Sequence, residues 1–229
     1  ERFPATFELA GTAIVMAFVI GVALGVVVAL KPYALRNRLI MAGSLGGISI
    51  PTFLMGVLLI MAFAVYLGIL PPFGRGETVQ LGFWRTGFLT FDGIKHLILP
   101  AFTLAMYQLA VLLRLTRAGM REVMTEEYIK TAWAKGLPPR KVIFKHALRN
   151  ALLPFVTMFG LILPGLIGGS VIIESIFSWP GMGRMAYEAI LARDYPVILT
   201  VNFVSAVLVL AGTFISDLLY LVVDPRIRL

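Results

Sequence analysis

The sequence predicts an all-α membrane protein, a polytopic helical bundle with about five spans. Three observations predict it. Hydrophobic residues make up 59% of the 229, charged residues only 14%, and the mean hydropathy is +0.91. A soluble domain is about 45–50% apolar and about a quarter charged, so most of this surface must face lipid. Long runs without any formal charge recur along the chain. No repeated ten-residue segments of alternating hydrophobicity occur, which argues against a β-barrel.

The spans follow from apolar runs of roughly 18–20 residues. Leu9 to Leu30 is the first. Leu39 to Gly74 is longer than one straight span needs and contains Pro51. It reads as a kinked helix from Ile40 to Leu70, ended by Pro71-Pro72. Leu97 to Leu113 is the third and shortest, with Arg114 able to snorkel toward the headgroups. Ala151 to Ile173 is the fourth. Tyr195 to Ser216 is the fifth, with a possible continuation past Asp217 to Val223. The chain begins at Glu1 rather than Met, and its opening lacks the basic stretch and short apolar core of a signal peptide. The expectation is a natural chain that starts earlier.

The net charge of +8 sits at the ends of apolar runs, so membrane topology explains it without nucleic acid. Fourteen Lys and Arg lie on one side and six on the other, which puts the C-terminus in the cytoplasm. Cysteine is absent, which excludes disulfides, thiolate metal sites and a cysteine nucleophile. His96 and His146 have no second ligand at metal spacing, so no metal is expected. Without a phosphate loop, HExxH or GxSxG, no catalytic residue is expected.

Residues 115–150 form a cytoplasmic segment that reads as two helices around a sharp turn. Thr125 is the expected N-cap, with Glu126 and Glu127 at the positive end of the dipole. Gly136 suits the position after a helix end. Pro138 and Pro139 open the next helix. By the residues alone, this is either a basic linker for anionic lipid or a rigid element for docking another protein.

Tyr128 to Leu137 and His146 to Pro154 together resemble the signature of the dipeptide/oligopeptide/nickel subfamily of binding-protein-dependent ABC importer permeases. Gly136 holds the signature glycine. Glu174 to Gly183, Arg193 to Pro196 and Asp217 to Arg228 resemble later parts of the same family, and Glu1 to Leu9 resembles the stretch before its second helix. The likeness spans the chain and is nearest the B-type membrane subunit. It implies a type I importer transmembrane domain over 1–229, with an earlier helix and external segment missing. It also implies the bacterial or archaeal inner membrane, a second related permease chain, two ATPase subunits that hold ATP and Mg, and an external binding protein. This chain itself would bind no cofactor. The implied cargo is di- or oligopeptides, with glutathione, nickel and sugars as family alternatives. The implied ATPase-coupling residues are Glu127, Tyr128, Thr131, Ala132, Ala134, Lys135, Gly136, Leu137, Arg140 and His146.

Other residues carry two readings each. Tyr107, Gln108 and Glu174 are polar groups in or at the ends of spans, and belong to the path or gate or to ordinary packing. Gly168 and Gly169 follow Pro164 and suit a path-lining turn or close packing. Trp179, Pro180, Gly181 and Gly183 suit a binding-protein contact or an interfacial turn. Gly21 and Gly25 read as close helix packing. The competing classes are a secondary transporter and an intramembrane protease. The first would not need a docking segment, and the second would need paired catalytic groups at depth.

Overall fold

The structure, a computed structural model, describes residues 2–152 and 170–223. Helix α1 (Arg2–Leu30) is followed by α2 (Leu35–Ser49) and α3 (Thr52–Leu59), which continues through a π-wound stretch at Ile60–Tyr66. A hairpin of β1 (Val79–Leu81) and β2 (Trp84–Thr86) precedes α4 (Phe91–Val123). Then come α5 (Glu127–Ala134) and α6, which is π-wound over Lys141–Leu148 and regular over Arg149–Ala151. Residues 170–176 form α7, and α8 (Met182–Ala192) and α9 (Tyr195–Val223) complete the chain.

Among the described residues, three helices are long and apolar enough to cross a membrane, and the bent α2–α3 pair makes a fourth. The fourth expected span, Ala151 to Ile173, lies largely outside the described residues. So do Pro164, Gly168 and Gly169.

Helices α1 and α4 form the central seam. The buried residues of α1 recur every fourth position as Ala5, Leu9, Ala13, Ala17, Gly21 and Gly25. They face Leu97, Ala101, Leu104, Ala105, Leu109 and Leu112 of α4. In lipid, helices gain little from apolar burial and associate through close packing, which small residues permit. A Cβ at Gly25 would lie 2.5 Å from Thr116 Cβ and 2.8 Å from the Leu113 carbonyl oxygen. Gly25→Val is therefore expected to destabilise the bundle by about 2–3 kcal/mol through overpacking. Gly43→Ala, where an added Cβ meets nothing within 4 Å, is the control. Thermal unfolding of the detergent-solubilised protein checks the pair.

The second span departs from the expected kink. Ile50 (ψ 126°) and Pro51 (ψ 138°) are both extended, so α2 stops at Ser49 and α3 starts afresh at Thr52. Proline pushes its predecessor out of the helical region, and two non-helical residues make a break. The axes turn by 115°. The chain on either side of the break reaches opposite ends of α1. At one end, Asn37 Nδ2 donates to the carbonyls of Val27 and Lys31. At the other, Arg75 bonds to Glu8. Those α1 positions are separated by roughly 30–35 Å of helix, a membrane thickness. The helix also ends at Tyr66, ahead of Pro71-Pro72, with Gly68 at φ 62°.

Two further expectations change. Helix α4 starts before Leu97 and runs 33 residues to Val123, so both of its ends project beyond a bilayer core. Thr90 caps it by accepting from the Gly93 amide. The connection between Tyr66 and α4 carries the β1–β2 hairpin, an exception to an all-helical chain. Its two-residue loop has Gly82 at φ 60°, which suits a tight turn with glycine first. Trp84 meets Phe3 and Phe7 of α1 edge-on, with centroids 6.0 and 5.8 Å away.

Candidate functional site

Two constellations stand at opposite ends of the bundle. The first is the α5–α6 pair. Thr125 does not cap α5. Its hydroxyl donates to the Glu122 carbonyl at 2.7 Å and closes α4 instead, and α5 starts at Glu127 without a side-chain cap. The far end of α5 closes as expected. Gly136 is left-handed at φ 72°, its amide donates to the Trp133 carbonyl, and the Leu137 amide reaches back to Ala132. This is a Schellman closure, in which glycine avoids the Cβ clash of a left-handed residue. The amides of Lys141 and Val142 then bond to the Pro138 carbonyl and open α6.

The pair is amphipathic. Ile129, Ala132, Val142, Ala147 and Ala151 are buried with Val26 of α1 and Met120 of α4. Leu137 packs against the same cluster. Asn150 Nδ2 donates to Tyr128 Oη at 2.7 Å and to the His146 carbonyl at 3.0 Å, bracing α6 to α5. Thr131 Oγ1 donates to the Glu127 carbonyl at 3.0 Å, and Lys130 bridges to Glu127 at 2.6 Å on the open side.

Seven of the sequence-predicted coupling residues are exposed: Glu127, Tyr128, Thr131, Ala134, Lys135, Gly136 and Arg140. Leu137 and His146 are half-buried. Ala132 faces inward and seats the helix on the bundle. Sequence reasoning missed Trp133 and Phe144, which are exposed at 41% and 58%. The signal was available, since both fall off the buried stripe of their helices.

The second constellation is a cap at the other end of the bundle. Thr6 Oγ1 donates to Glu174 Oε1 at 2.7 Å and accepts from the Met182 amide at 2.8 Å. Glu174 Oε2 accepts from the Arg184 amide at 2.9 Å. Trp179 Nε1 donates to the Ala5 carbonyl at 2.9 Å, and the Phe177 carbonyl accepts from Gly74. Arg75 donates to Glu8 Oε2 at 2.7 Å and to the Arg85 carbonyl at 2.6 Å, and lies 5.9 Å from the Trp179 ring centre. The cap ties the start of α1 to the hairpin loop and to the α7–α8 turn.

The α7–α8 turn, read above as either a binding-protein contact or an interfacial turn, packs into this cap. Trp179 is 1% exposed, and Gly181 and Gly183 are buried. Their surfaces are consumed inside the chain, leaving Pro180 half-exposed. Glu174 is also fully buried. Thr6, Glu8 and Arg75 escaped the sequence reading. The clue was an acid just before one apolar run and a base just after the next.

Elsewhere, Tyr107 is half exposed on the outer face of α4 and Gln108 is partly buried. The Asp217 side chain is outside those described. His96 Nδ1 lies 2.8 Å from the Asp92 carbonyl. No group of three metal-ligating side chains occurs among the described residues.

A bundle of membrane-length helices, with a braced amphipathic pair folded against one end, defines a helical membrane protein. Residues 21–229 match the family described as binding-protein-dependent transport system inner membrane component, and the chain belongs to that family. The oligopeptide transport system permease protein AppB of Bacillus subtilis (strain 168) is 46% identical over 227 residues, which cover 99% of this chain and 70% of that protein. The di/tripeptide transport system permease protein DppB of Pseudomonas aeruginosa (strain UCBPP-PA14) is 44% identical over 238 residues, with 99% and 71% covered. These relatives are transport permeases rather than enzymes. Among solved structures, an inward-facing MetNI methionine ABC transporter superposes with a TM-score of 0.73 at 21% identity, covering 96% of this chain and 93% of that one. This likeness bears out the expected fold, a helical ABC-transporter membrane domain.

Proposed function

We propose that this chain is one of two membrane subunits of an ATP-driven importer, and that its cargo is di- or oligopeptides delivered by an external binding protein. The α5–α6 pair, within the 115–150 segment of a single 1–229 domain, is its coupling element. It docks on an ATPase subunit that holds ATP and Mg. The second membrane subunit is a related but distinct chain, and the C-terminus is cytoplasmic.

One observation carries the coupling role. The pair is closed at its turn, braced by Tyr128 and Asn150, and buried against α1 and α4, yet it presents Tyr128, Trp133 and Phe144 outward. Exposed aromatics among basic residues suit a protein interface, where aromatic and Arg side chains concentrate binding energy. A lipid-binding linker would need neither the closure nor the brace. Because Val26 and Met120 share the inner cluster, a push on the pair reaches α1 and α4 directly. The peptide cargo rests on the relatives, at 46% and 44% identity over nearly the whole chain.

The test is purification of the complete transporter carrying Trp133→Glu and Phe144→Glu. Both positions are exposed, so the fold should survive. The expected result is loss of the co-purifying ATPase and a fall in ATP-driven peptide uptake of roughly tenfold or more, the scale of a lost interface anchor. An unaltered complex would remove the docking assignment. A chain that purifies alone and moves solute on an ion gradient would remove the importer reading itself.

A further inference from the structure

The break between α2 and α3 lies at membrane depth. Before it, a Cβ at Gly47 would lie 3.3 Å from the Met106 carbonyl oxygen; after it, a Cβ at Gly56 would lie 3.4 Å from Thr103 Cγ2. Both contacts are with the middle of α4. Helices α1 and α4 run side by side in the same direction, since Gly21 packs on Leu109 and Gly25 on Thr116. The break is therefore level with roughly residues 15–18 of α1, about 10 Å from Leu9 and about 20 Å from Leu30 at ~1.5 Å per residue.

Two helix ends meet there and leave backbone groups unpaired. Among the described residues, the amides of Thr52, Phe53 and Leu54 and the carbonyls of Gly47, Ile48 and Ser49 have no hydrogen-bond partner. Nearby hydroxyls do not supply one. Thr103, Thr200 and Thr213 each bond back to the carbonyl four residues earlier in their own helices. Ser49 and Thr52 make no such bond. Nor is the break hidden inside the chain, because Ser49 and Pro51 are exposed and Phe53 is 52% exposed. Hydrocarbon offers no hydrogen bonds, so irregular backbone at this depth persists only inside protein or against water.

We propose that the break faces a water-filled path through the membrane, and that Ser49 and Thr52 are residues of its wall. That this water belongs to a transport path rests on the importer reading above. In many transporters the broken spans border the solute path, where freed amides and carbonyls are hydrated or meet the solute. A dry contact with the second membrane subunit would have to match every freed group with one of its own, whereas water pairs with all of them.

The chain has no cysteine, so one introduced thiol reports from one place. Ser49→Cys and Thr52→Cys are made in the complete transporter, and labelling of this chain by a charged, water-soluble maleimide is timed in nanodiscs. Val15→Cys and Val207→Cys, at exposed apolar positions within α1 and α9, are the slow references. Glu77→Cys, exposed between Tyr66 and α4, is the fast one. The thiolate is the reacting form and apolar surroundings suppress it, so both break thiols should react roughly tenfold or more faster than the slow references. Their modification should also cut peptide uptake several-fold, whereas modified Glu77→Cys should transport like the parent. The yield of intact complex shows that the variants fold. Break thiols as slow as the valine references would mean that lipid or a dry subunit contact covers the break, and would overturn the proposal. Fast labelling without effect on uptake would place the water off the path and overturn it as well. Failure of the importer reading would show separately, as an absent ATPase, with the labelling rates still measurable.

Discussion

Gly136→Val is expected to cut ATP-driven uptake by roughly tenfold or more while leaving the bundle folded. Gly136 adopts φ 72°, and nothing lies within 4 Å of where its Cβ would be. The effect is therefore one of backbone conformation and not of collision. A left-handed residue with a Cβ costs about 1–2 kcal/mol, and a β-branched one is a genuine outlier there. Valine would favour opening the turn, and the bonds from the Gly136 and Leu137 amides to Trp133 and Ala132 would be lost with it. The exposed ends of α5 and α6 would then no longer hold one relative position. Gly136→Asn should retain most activity, because asparagine tolerates the left-handed region. Uptake into vesicles, with ATPase co-purification measured beside it, checks both variants. Parent-like uptake in Gly136→Val would show that transport does not depend on this turn.

Gly181→Val is expected to destabilise the protein by about 2–4 kcal/mol, the range for overpacking combined with broken buried hydrogen bonds. A side chain at this position would overlap the Glu174 carboxylate. Glu174 cannot retreat without leaving Thr6 and the Arg184 amide, and those bonds join α1 to the α7–α8 turn. Glu174→Gln keeps the shape but replaces an acceptor with a donor, and should cost about 1–2 kcal/mol. Pro180→Ala, at the half-exposed neighbour, should change little. Thermal unfolding of the purified complex orders the three. A Gly181→Val protein that melts with the parent would mean the cap does not hold that end of the bundle together.

The two variants probe different links. Gly136 probes the proposed passage of motion from the α5–α6 pair to the bundle, whereas Gly181 probes whether the capped end stays assembled. Gly136 was legible in advance because the helix-stop signal is local. A glycine followed by two prolines after an amphipathic run admits few backbone paths. Gly181 was legible only as part of a family-like string, and its packing against Glu174 was not. Nothing local to Trp179-Pro180-Gly181 shows that Thr6 and Ala5, more than 170 positions away, lie against it.

The sequence by itself determined the class of this protein. Long uncharged runs must lie in lipid, the basic residues between them set a sidedness, and the glycine–proline turn closes a helix pair. Each is a statement about a residue and its near neighbours. The tertiary structure alone decided the rest. It turned the kink at Pro51 into a break, because two consecutive residues there leave the helical region. It buried Trp179 and Glu174, and it set Arg75 against Glu8. These depend on which spans lie side by side. Helix partners in a membrane are selected by shape and hydrogen bonding between distant segments, and an apolar run carries no mark of its partner.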